Sequence, residues 1–473
     1  FGATAKESYD RMIQQVTSAE KRLKQGKKNV FIKASLPKRV ACVADVAPIL
    51  RGLLGAAGRR VVMDFRTSAR VRAYVNGKDL RRYSQKSTVT PDHVIRTKPN
   101  PLIVPAPDAN NLEGFSKTAK KALDSYQKSY HNYFKRQNRR VGFLKKELDL
   151  LPRIILVPGL GLFGVDGNAK SAGIVADLAV TNVNVITDCE SISSYQAIPE
   201  NDVFDIEYWS LEQAKIGKGD TKLLDSKICV VSGGGSGIGA ATARAFSKQG
   251  CEVAILDCNA KAVQTVSNEI GCLGLVCDVT SIKSVNNAMD NVAAHFGGVD
   301  IVVSNAGAAW QGRIGEVPDK ILRESFELNF WGHQNLARKA TSIMRAQNNG
   351  GCLLFNISKQ AINPGSDFGP YGLPKAATLF LMRQYAVDYG ADGIRSNAVN
   401  ADRIRSGLLS DSLIENRSKA RGLCQKDYMC GNLLGKEVFA EDVAQAFIDL
   451  ALAEKTTASV TTVDGGNIAA ALR

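Results

Sequence analysis

Beyond Lys227 the chain alternates short apolar runs with longer segments whose apolar positions recur at helical spacing. The runs expected to form strands are Ile228 to Val231, Val253 to Leu256, Leu275 to Cys277, Ile301 to Ser304, Leu353 to Ile357, Arg395 to Val399 and Ser459 to Val463. Helical periodicity fills the gaps as far as Gln249, Ile270, Phe296 and Arg345, then covers Tyr371 to Tyr389 and Ala440 to Leu452. A run apolar on both faces suits a strand covered by two layers. The alternation therefore predicts an α/β fold with a doubly wound parallel sheet and helices on both sides.

Upstream the pattern is less regular. Thr4 to Leu23 reads as an amphipathic helix, with Thr4-Ala-Lys-Glu7 as a capping box and Tyr9, Met12, Ile13 and Val16 on one stripe. Strand candidates are Val61 to Met63, Leu102 to Val104 and Arg153 to Val157; helix candidates are Asp45 to Leu54, Gly114 to Phe134 and, after a Gly-rich turn, Ala169 to Ile186. Pro99, Pro101, Pro105 and Pro107 mark a loop. Phe1-Gly2 and Phe163-Gly164 each open a helix, which shared turn chemistry explains as well as duplication does. The polar run Gly217-Lys-Gly-Asp220 is the expected main linker. A chain of 473 residues exceeds one ordinary core, and three regions are expected: 1–30, 31–220 and 221–473.

Composition removes several alternatives. With 44% hydrophobic and 23% charged residues the chain can bury a core and is not a disordered chain. The longest uncharged apolar run, Ile154 to Val165, has 12 residues against the roughly 20 of a membrane span, so no membrane partner is expected. The start, FGATAKESYD, lacks Met and the pattern of a signal peptide, and Phe1 is not expected to be the natural start. Ten scattered cysteines without C-x-x-C spacing signal neither a zinc site nor a dithiol pair; reduced cysteines in a cytoplasmic protein are expected. The net charge of +15 is N-terminal: residues 1 to 200 hold 34 Lys+Arg against 17 Asp+Glu, the remainder 27 against 29. Solvated helix faces account for this, and nucleic acid is not the expected partner.

The first chemical signal is Ser232-Gly-Gly-Gly-Ser-Gly-Ile-Gly239, between an apolar strand and a helix whose Ile238, Ala241, Ala245 and Phe246 share a face. Glycines let the backbone approach a pyrophosphate, whose charge sits at the helix N-terminus. Eighteen residues past Gly239 the next strand ends in Asp257, whose carboxylate can accept from ribose hydroxyls and repel a 2′-phosphate. Cys258 follows it and is not basic, so NAD is expected over NADP. Tyr371 and Lys375 are four apart and share a helix face; an ammonium near a phenol favours phenolate, which would fit Tyr371 for general acid/base work.

Ser232-Gly-x-x-x-Gly-Ile-Gly239, Asp278-Val279, Asn305-Ala306-Gly307, Asn329, Tyr371-Gly-Leu-Pro-Lys375 and Asp464-Gly-Gly466 together resemble, in order and spacing, the short-chain dehydrogenase/reductase family. The resemblance covers roughly the last 250 residues and implies a Rossmann-type domain. It implies cofactor contacts from Gly233, Ser236, Gly237, Ile238, Gly239, Asp257, Asp278, Val279, Asn305, Ala306, Gly307, Tyr371 and Lys375. It also implies a proton relay through Asn329 and a catalytic set of Tyr371, Lys375, Asn329 and a serine. In place of the family's Asn-Ile-Ser-Ser stands Asn356-Ile-Ser-Lys359, so Ser358 is expected to polarise the substrate oxygen ahead of Lys359. Ala401-Asp402-Arg403 replaces the usual Pro-Gly, and Arg403 and Arg405 are candidates for an acidic group, against the reading of ordinary surface arginines.

More narrowly, Thr90-Pro-Asp-His-Val-Ile-Arg-Thr-Lys98, Val157-Pro-Gly-Leu-Gly-Leu-Phe-Gly164, Tyr208-Trp-Ser-Leu-Glu212 and Asn400-Ala-Asp-Arg-Ile-Arg-Ser406 resemble the bifunctional rhamnulose-1-phosphate aldolase/lactaldehyde dehydrogenase group. That resemblance makes residues 1–30 the trailing helix of a class II aldolase module and 31–220 a degenerate aldolase-like copy. It implies NAD-dependent oxidation of a small aldehyde or hydroxy compound, lactaldehyde to lactate in particular, by a homo-oligomer. A sugar or polyol dehydrogenase and a catalytically idle NAD-sensing scaffold are the alternatives. Zinc is implied only for an upstream aldolase part: His93, His131, His295 and His333 are all far apart in sequence, so no metal site and no aldolase activity are expected here.

Overall fold

The computed structural model describes residues 1–27, 29–216, 222–405, 409 and 411–466; the expected linker 217–220 and Ser406 lie outside the described residues. The chain divides into two units, 1–46 with 63–220, and 47–62 with 221–473.

Unit 1 is built on a four-stranded sheet of order β1-β4-β3-β2, with β1 Val62–Arg66, β2 Leu102–Ile103, β3 Ile154–Val157 and β4 Gly161–Asp166. β2 runs parallel to β3, and β3 antiparallel to β4. The glycines from Gly159 onward, expected to form one turn, instead split into a turn and β4. Their role in the strand is close packing: a Cβ on Gly161 would lie 2.4 Å from the Arg66 carbonyl oxygen, and one on Gly164 2.4 Å from that of Ala172. Gly164 thus lets the helix Ala169–Ile192 settle on β4, burying Ala172, Val175, Ala176, Ala179, Val183 and Ile186. That helix is long and apolar enough to cross a membrane by length and composition, although Lys170, Asp177, Asp188 and Glu190 break it into shorter uncharged stretches.

The two Phe-Gly openings share capping chemistry. Thr4 accepts from the Glu7 amide (3.1 Å) and Asn168 from the Ser171 amide (2.8 Å). The Glu7 carboxylate accepts from the Ala3 amide at 2.7 Å rather than from Thr4, so the box closes one residue early. The helix Ala5–Lys24 buries none of its residues, and its stripe of Tyr9, Met12, Ile13 and Val16 is exposed.

Unit 2 carries a seven-stranded sheet of order β11-β10-β9-β8-β5-β6-β7. Its strands are β5 Ile228–Ser232, β6 Glu252–Asp257, β7 Leu273–Val276, β8 Ile301–Ser304, β9 Gly351–Ser358, β10 Ile394–Ala401 and β11 Val460–Val463, and all neighbours pair in parallel. This is the expected doubly wound sheet. The strand order reverses direction between β5 and β8, where the connections leave for opposite edges and open a crevice at the carboxyl ends. β5 is buried throughout, and Val231, Ile255, Val303 and Leu354 from four adjacent strands share one core with Phe246 and Phe447.

Two features of unit 2 depart from the patterning. After β8 there is a loop before the helix Asp319–Phe326, and a π-helical turn, Glu327–Trp331, precedes the helix Gly332–Gln347. In addition, segment 47–62 groups with unit 2. Arg51, 1% exposed, donates to both oxygens of Asp300 (3.0 and 2.6 Å) and to the Val61 carbonyl oxygen (2.7 Å); Asp300 is 3% exposed and also accepts from the Ile228 amide. Burial pushes the Asp300 carboxyl up, but Arg51 and Arg60 outweigh that and hold it below the usual range.

Candidate active site

β5 ends at Ser232, and the chain turns through Gly233 (φ 63°) and Gly237 (φ 49°), conformations that glycine adopts without strain. Gly239 is required by packing: a Cβ there would stand 2.0 Å from the Gly233 carbonyl oxygen. The helix Gly237–Lys248 that follows has no side-chain cap from Ser236, so its first amides remain available to an anion. Ser232 fixes the opposite wall, its hydroxyl accepting from the amides of Asn305 (2.9 Å) and Ala306 (3.1 Å).

Gly233, Ser236, Gly237, Ile238, Asn305 and Ala306 line a groove of ≈ 380 Å³ together with Asp257, Asp278, Val279, Gly307, Tyr371 and Lys375. Every residue implied for the cofactor is in its lining except Gly239, which shapes the turn beneath. Asp257 accepts from the amides of Gly235 and Asn259, both at 3.0 Å, which fixes its carboxylate at the groove. Asp278 is held by the amide and hydroxyl of its neighbour Thr280. Uncapped helix amides, a glycine turn and an anchored carboxylate fit the diphosphate and ribose of a dinucleotide.

Tyr371 and Lys375 lie on the helix Gly369–Tyr389 and are buried. Lys375 Nζ donates to the Asn356 carbonyl oxygen (2.9 Å) and lies 3.2 Å from His333 Nε2. Burial pushes its pKa down to about 7. Burial pushes Tyr371 up to about 12, with a hydrogen bond to Ser358 acting downward and the Asp402 charge upward. The expected lowering by Lys375 is therefore not what governs Tyr371 here: the Nζ is 6.0 Å from the ring centroid and engaged elsewhere. Of the two oxyanion candidates, Ser358 meets Tyr371, whereas Lys359 Nζ sits 3.7 Å from Asp402 Oδ2.

Asn329 falls within the π-helical turn, fully buried. Its amide donates to the Ala308 carbonyl oxygen (2.8 Å) and its oxygen accepts from the Ala308 amide (3.3 Å), bracing the loop after β8 rather than touching Lys375. Both nonetheless converge on Gly307, where a Cβ would lie 2.8 Å from Asn329 Oδ1 and 3.4 Å from Lys375 Nζ.

Sequence reading missed His333. It is 1% exposed, one helical turn beyond Asn329, and bridges Lys375 to Ser304 through Nδ1 (2.6 Å). Burial and the Lys375 charge hold its pKa well below the ordinary value, so it is neutral; with Nε2 accepting from Lys375, Nδ1 carries the proton toward Ser304. Its i+4 spacing from Asn329 was the available signal.

A second cavity, ≈ 170 Å³, shares Ile238, Asn356 and Tyr371 with the groove and is lined by Ser358, Lys359 and Arg403. Arg403 donates to the carbonyl oxygens of Tyr428 and Gly431, while Arg405 pairs with Glu437 and Asp411 and is not in this lining.

Unit 1 has its own cavity, ≈ 400 Å³, lined among others by Arg81, Lys86, Tyr130 and Tyr133. The two tyrosines donate to Glu207 at 2.8 and 2.9 Å, whose pKa burial pushes up to about 7. No three His, Cys, Asp or Glu side chains converge as metal ligands among the described residues, so these do not fit the zinc of a class II aldolase.

Residues 233–467 match the family described as enoyl-(acyl carrier protein) reductase, and residues 41–216 the family described as aldolase class II, second domain. The uncharacterized short-chain type dehydrogenase/reductase y4mP of Sinorhizobium fredii is 32% identical over 256 residues, covering 52% of this chain and 98% of that protein. (+)-Borneol dehydrogenase 1 of Salvia officinalis is 32% identical over 255 residues, covering 52% of this chain and 95% of its own. The uncharacterized oxidoreductase YuxG of Bacillus subtilis is 28% identical over 453 residues, 92% of this chain; the chain spans 65% of that relative's length. The chain belongs to the short-chain dehydrogenase/reductase family: residues 233–467 form an oxidoreductase of the kind that uses NAD or NADP, preceded by the segment 41–216 that matches the class II aldolase second-domain family.

Proposed function

We propose that unit 2 is an NAD-dependent dehydrogenase acting on a small hydroxy compound or aldehyde hydrate, with lactaldehyde to lactate as the particular reaction in a bifunctional aldolase/dehydrogenase. The observation that carries this reading is the meeting of two cavities at Tyr371, one fitted to a dinucleotide and one, ≈ 170 Å³, sized for a small substrate. For NAD over NADP the support is Asp257, with Lys375 the sole Lys or Arg in the groove lining among the described residues. No basic group there would meet a 2′-phosphate. NAD when bound supplies a hydride acceptor and a positive charge that favours the phenolate of Tyr371. Ser358 then holds the substrate oxygen, and Tyr371 takes the proton that this oxygen gives up as the C–H hydride departs. Lys375, held between Asn356 and His333, presents its ammonium to the same space.

Ser358 and Tyr371 line the same cavity, which opens beside the cofactor groove at Tyr371, and this favours a working enzyme over an idle scaffold, since a sensor of NAD has no use for such a pairing. Formation of NADH against a panel of lactaldehyde, short diols and deoxy sugars tests the reading. Turnover of one of them with NAD, at least about tenfold weaker with NADP, is expected. Absence of any turnover, or equal use of both cofactors, contradicts it.

A further inference from the structure

The cavity beside Tyr371 is lined by four cationic side chains, Lys359, Arg403, Arg417 and Arg421, against a single carboxylate, Asp402. That carboxylate is already engaged, with Lys359 Nζ and Arg403 Nε each 3.7 Å from its Oδ2. Arg403 is further occupied by the carbonyl oxygens of Tyr428 and Gly431. Arg417 and Arg421 have no carboxylate partner among the described residues.

Both are held in place by aromatic rings. The Arg417 guanidinium lies 4.8 Å from the Phe368 ring centroid, and that of Arg421 5.3 Å from the Tyr428 centroid. Tyr428 is in turn fixed in a small core with Leu409, Ile414 and Met429, so the helix Asp411–Lys419 that carries Arg417 is anchored beside the cavity. A guanidinium stacked on a ring keeps its charge and leaves N–H groups at its edge, the geometry that meets the two oxygens of a carboxylate or phosphate. Like charges around a shared cavity repel one another and concentrate anions there.

Resting on the dehydrogenase reading of this site, we propose that its substrate carries an anionic group, a carboxylate or a phosphate, bound by Arg417 and Arg421 while Ser358 and Tyr371 hold the hydroxyl that is oxidised. The oxidation is the one already given: the carbon loses hydride to the nicotinamide, the oxygen loses its proton to Tyr371, and the anionic group takes no part. This keeps the dehydrogenase but departs from the neutral lactaldehyde named above: lactaldehyde and short diols would then be weak substrates beside an anionic hydroxy compound.

Matched compounds test this with NAD and the intact chain: 1,2-propanediol and lactaldehyde as neutral, glycerate as carboxylate, glycerol 3-phosphate as phosphate. An anionic compound is expected to exceed the neutral ones in kcat/KM by at least about tenfold, with preference between the two anions identifying the group. Arg417→Gln and Arg421→Gln should each lower that value by about 10- to 100-fold, the scale of one hydrogen bond to a charged group. Arg421 is exposed, and besides the Tyr428 ring it meets the Arg417 carbonyl oxygen (3.1 Å), so its replacement removes local surface contacts rather than core packing. A preference for neutral compounds, with both variants retaining wild-type kinetics on the anions, overturns the proposal but leaves the dehydrogenase standing. If no compound turns over, the dehydrogenase reading fails separately, and binding decides the anion site. Glycerate or inorganic phosphate should then change the fluorescence of bound NADH in the wild type and not in the variants; no change in the wild type overturns the proposal.

Discussion

Replacing His333 with Leu removes one of the two acceptors that hold the Lys375 ammonium. The remaining acceptor is the Asn356 carbonyl oxygen at 2.9 Å, and Lys375, though it lines the groove, is only 3% exposed and so offers little surface to water. A hydrogen bond to a charged group contributes about 1.5–3 kcal/mol, and here it favours only the charged form. At about 1.4 kcal/mol per pKa unit, its loss lowers the Lys375 pKa by roughly one to two units. Starting from about 7, the variant would hold Lys375 mostly neutral at neutral pH. The expected outcome is a shift of the pH profile of NAD-linked kcat/KM by about one to two units, with turnover near pH 7 reduced. His333→Gln, whose side-chain oxygen can accept from Lys375, should recover part of the shift.

Stability carries the same signature. The folded pKa of Lys375 lies below its unfolded value of about 10.4, so the unfolded chain binds more protons across that interval. Without cofactor, stability should rise with pH from about 7 toward 10, and in His333→Leu the rise should begin at lower pH. Tm and kcat/KM measured against pH decide the matter. A variant that loses the same Tm at every pH, with an unmoved kinetic profile, would show that His333 only fills space.

Ser358→Ala is expected to cut kcat by roughly tenfold or more through loss of an oxyanion donor, and Lys359→Ala to act mainly on KM; steady-state kinetics of the two side by side separate them. If neither changes the rate, the oxygen is polarised elsewhere. Asp300→Asn leaves Arg51 buried without its counter-charge and should cost about 3–5 kcal/mol in a denaturant titration. Because the Asp300 pKa is depressed on folding, this contribution is present above its unfolded value and is lost as pH falls through the folded one. The gap between wild type and variant should therefore close in acid; a constant gap contradicts the assignment.

The sheet of unit 2 was legible because its central strands, such as β5 and β8, are apolar on both faces and the alternation with helical periodicity is regular, so local pattern and global fold agree. The elements that patterning missed have specific causes. β4 was hidden because Gly161 and Gly164 read as turn residues, whereas they serve close packing against Arg66 and the helix after it. Asn329 was found from its motif, but not the π-helical turn that buries it, since a single inserted residue only shifts the phase of the apolar pattern, too small a change to read from one turn. His333, Arg417 and Arg421 reach the site only through tertiary contacts. The Arg51–Asp300 pair joins residues 249 apart, which no local window can detect.

The most direct test of the dehydrogenase assignment is the rate of NAD reduction by the intact chain, wild type and Tyr371→Phe, with the best compound of the panel at matched cofactor occupancy. The phenylalanine keeps the ring in its buried seat and removes only the hydroxyl. NAD binding is expected to stay within a few-fold of wild type while turnover falls by roughly a hundredfold or more, the scale of a lost general acid/base. Wild-type turnover in Tyr371→Phe, with NAD bound normally, would contradict it.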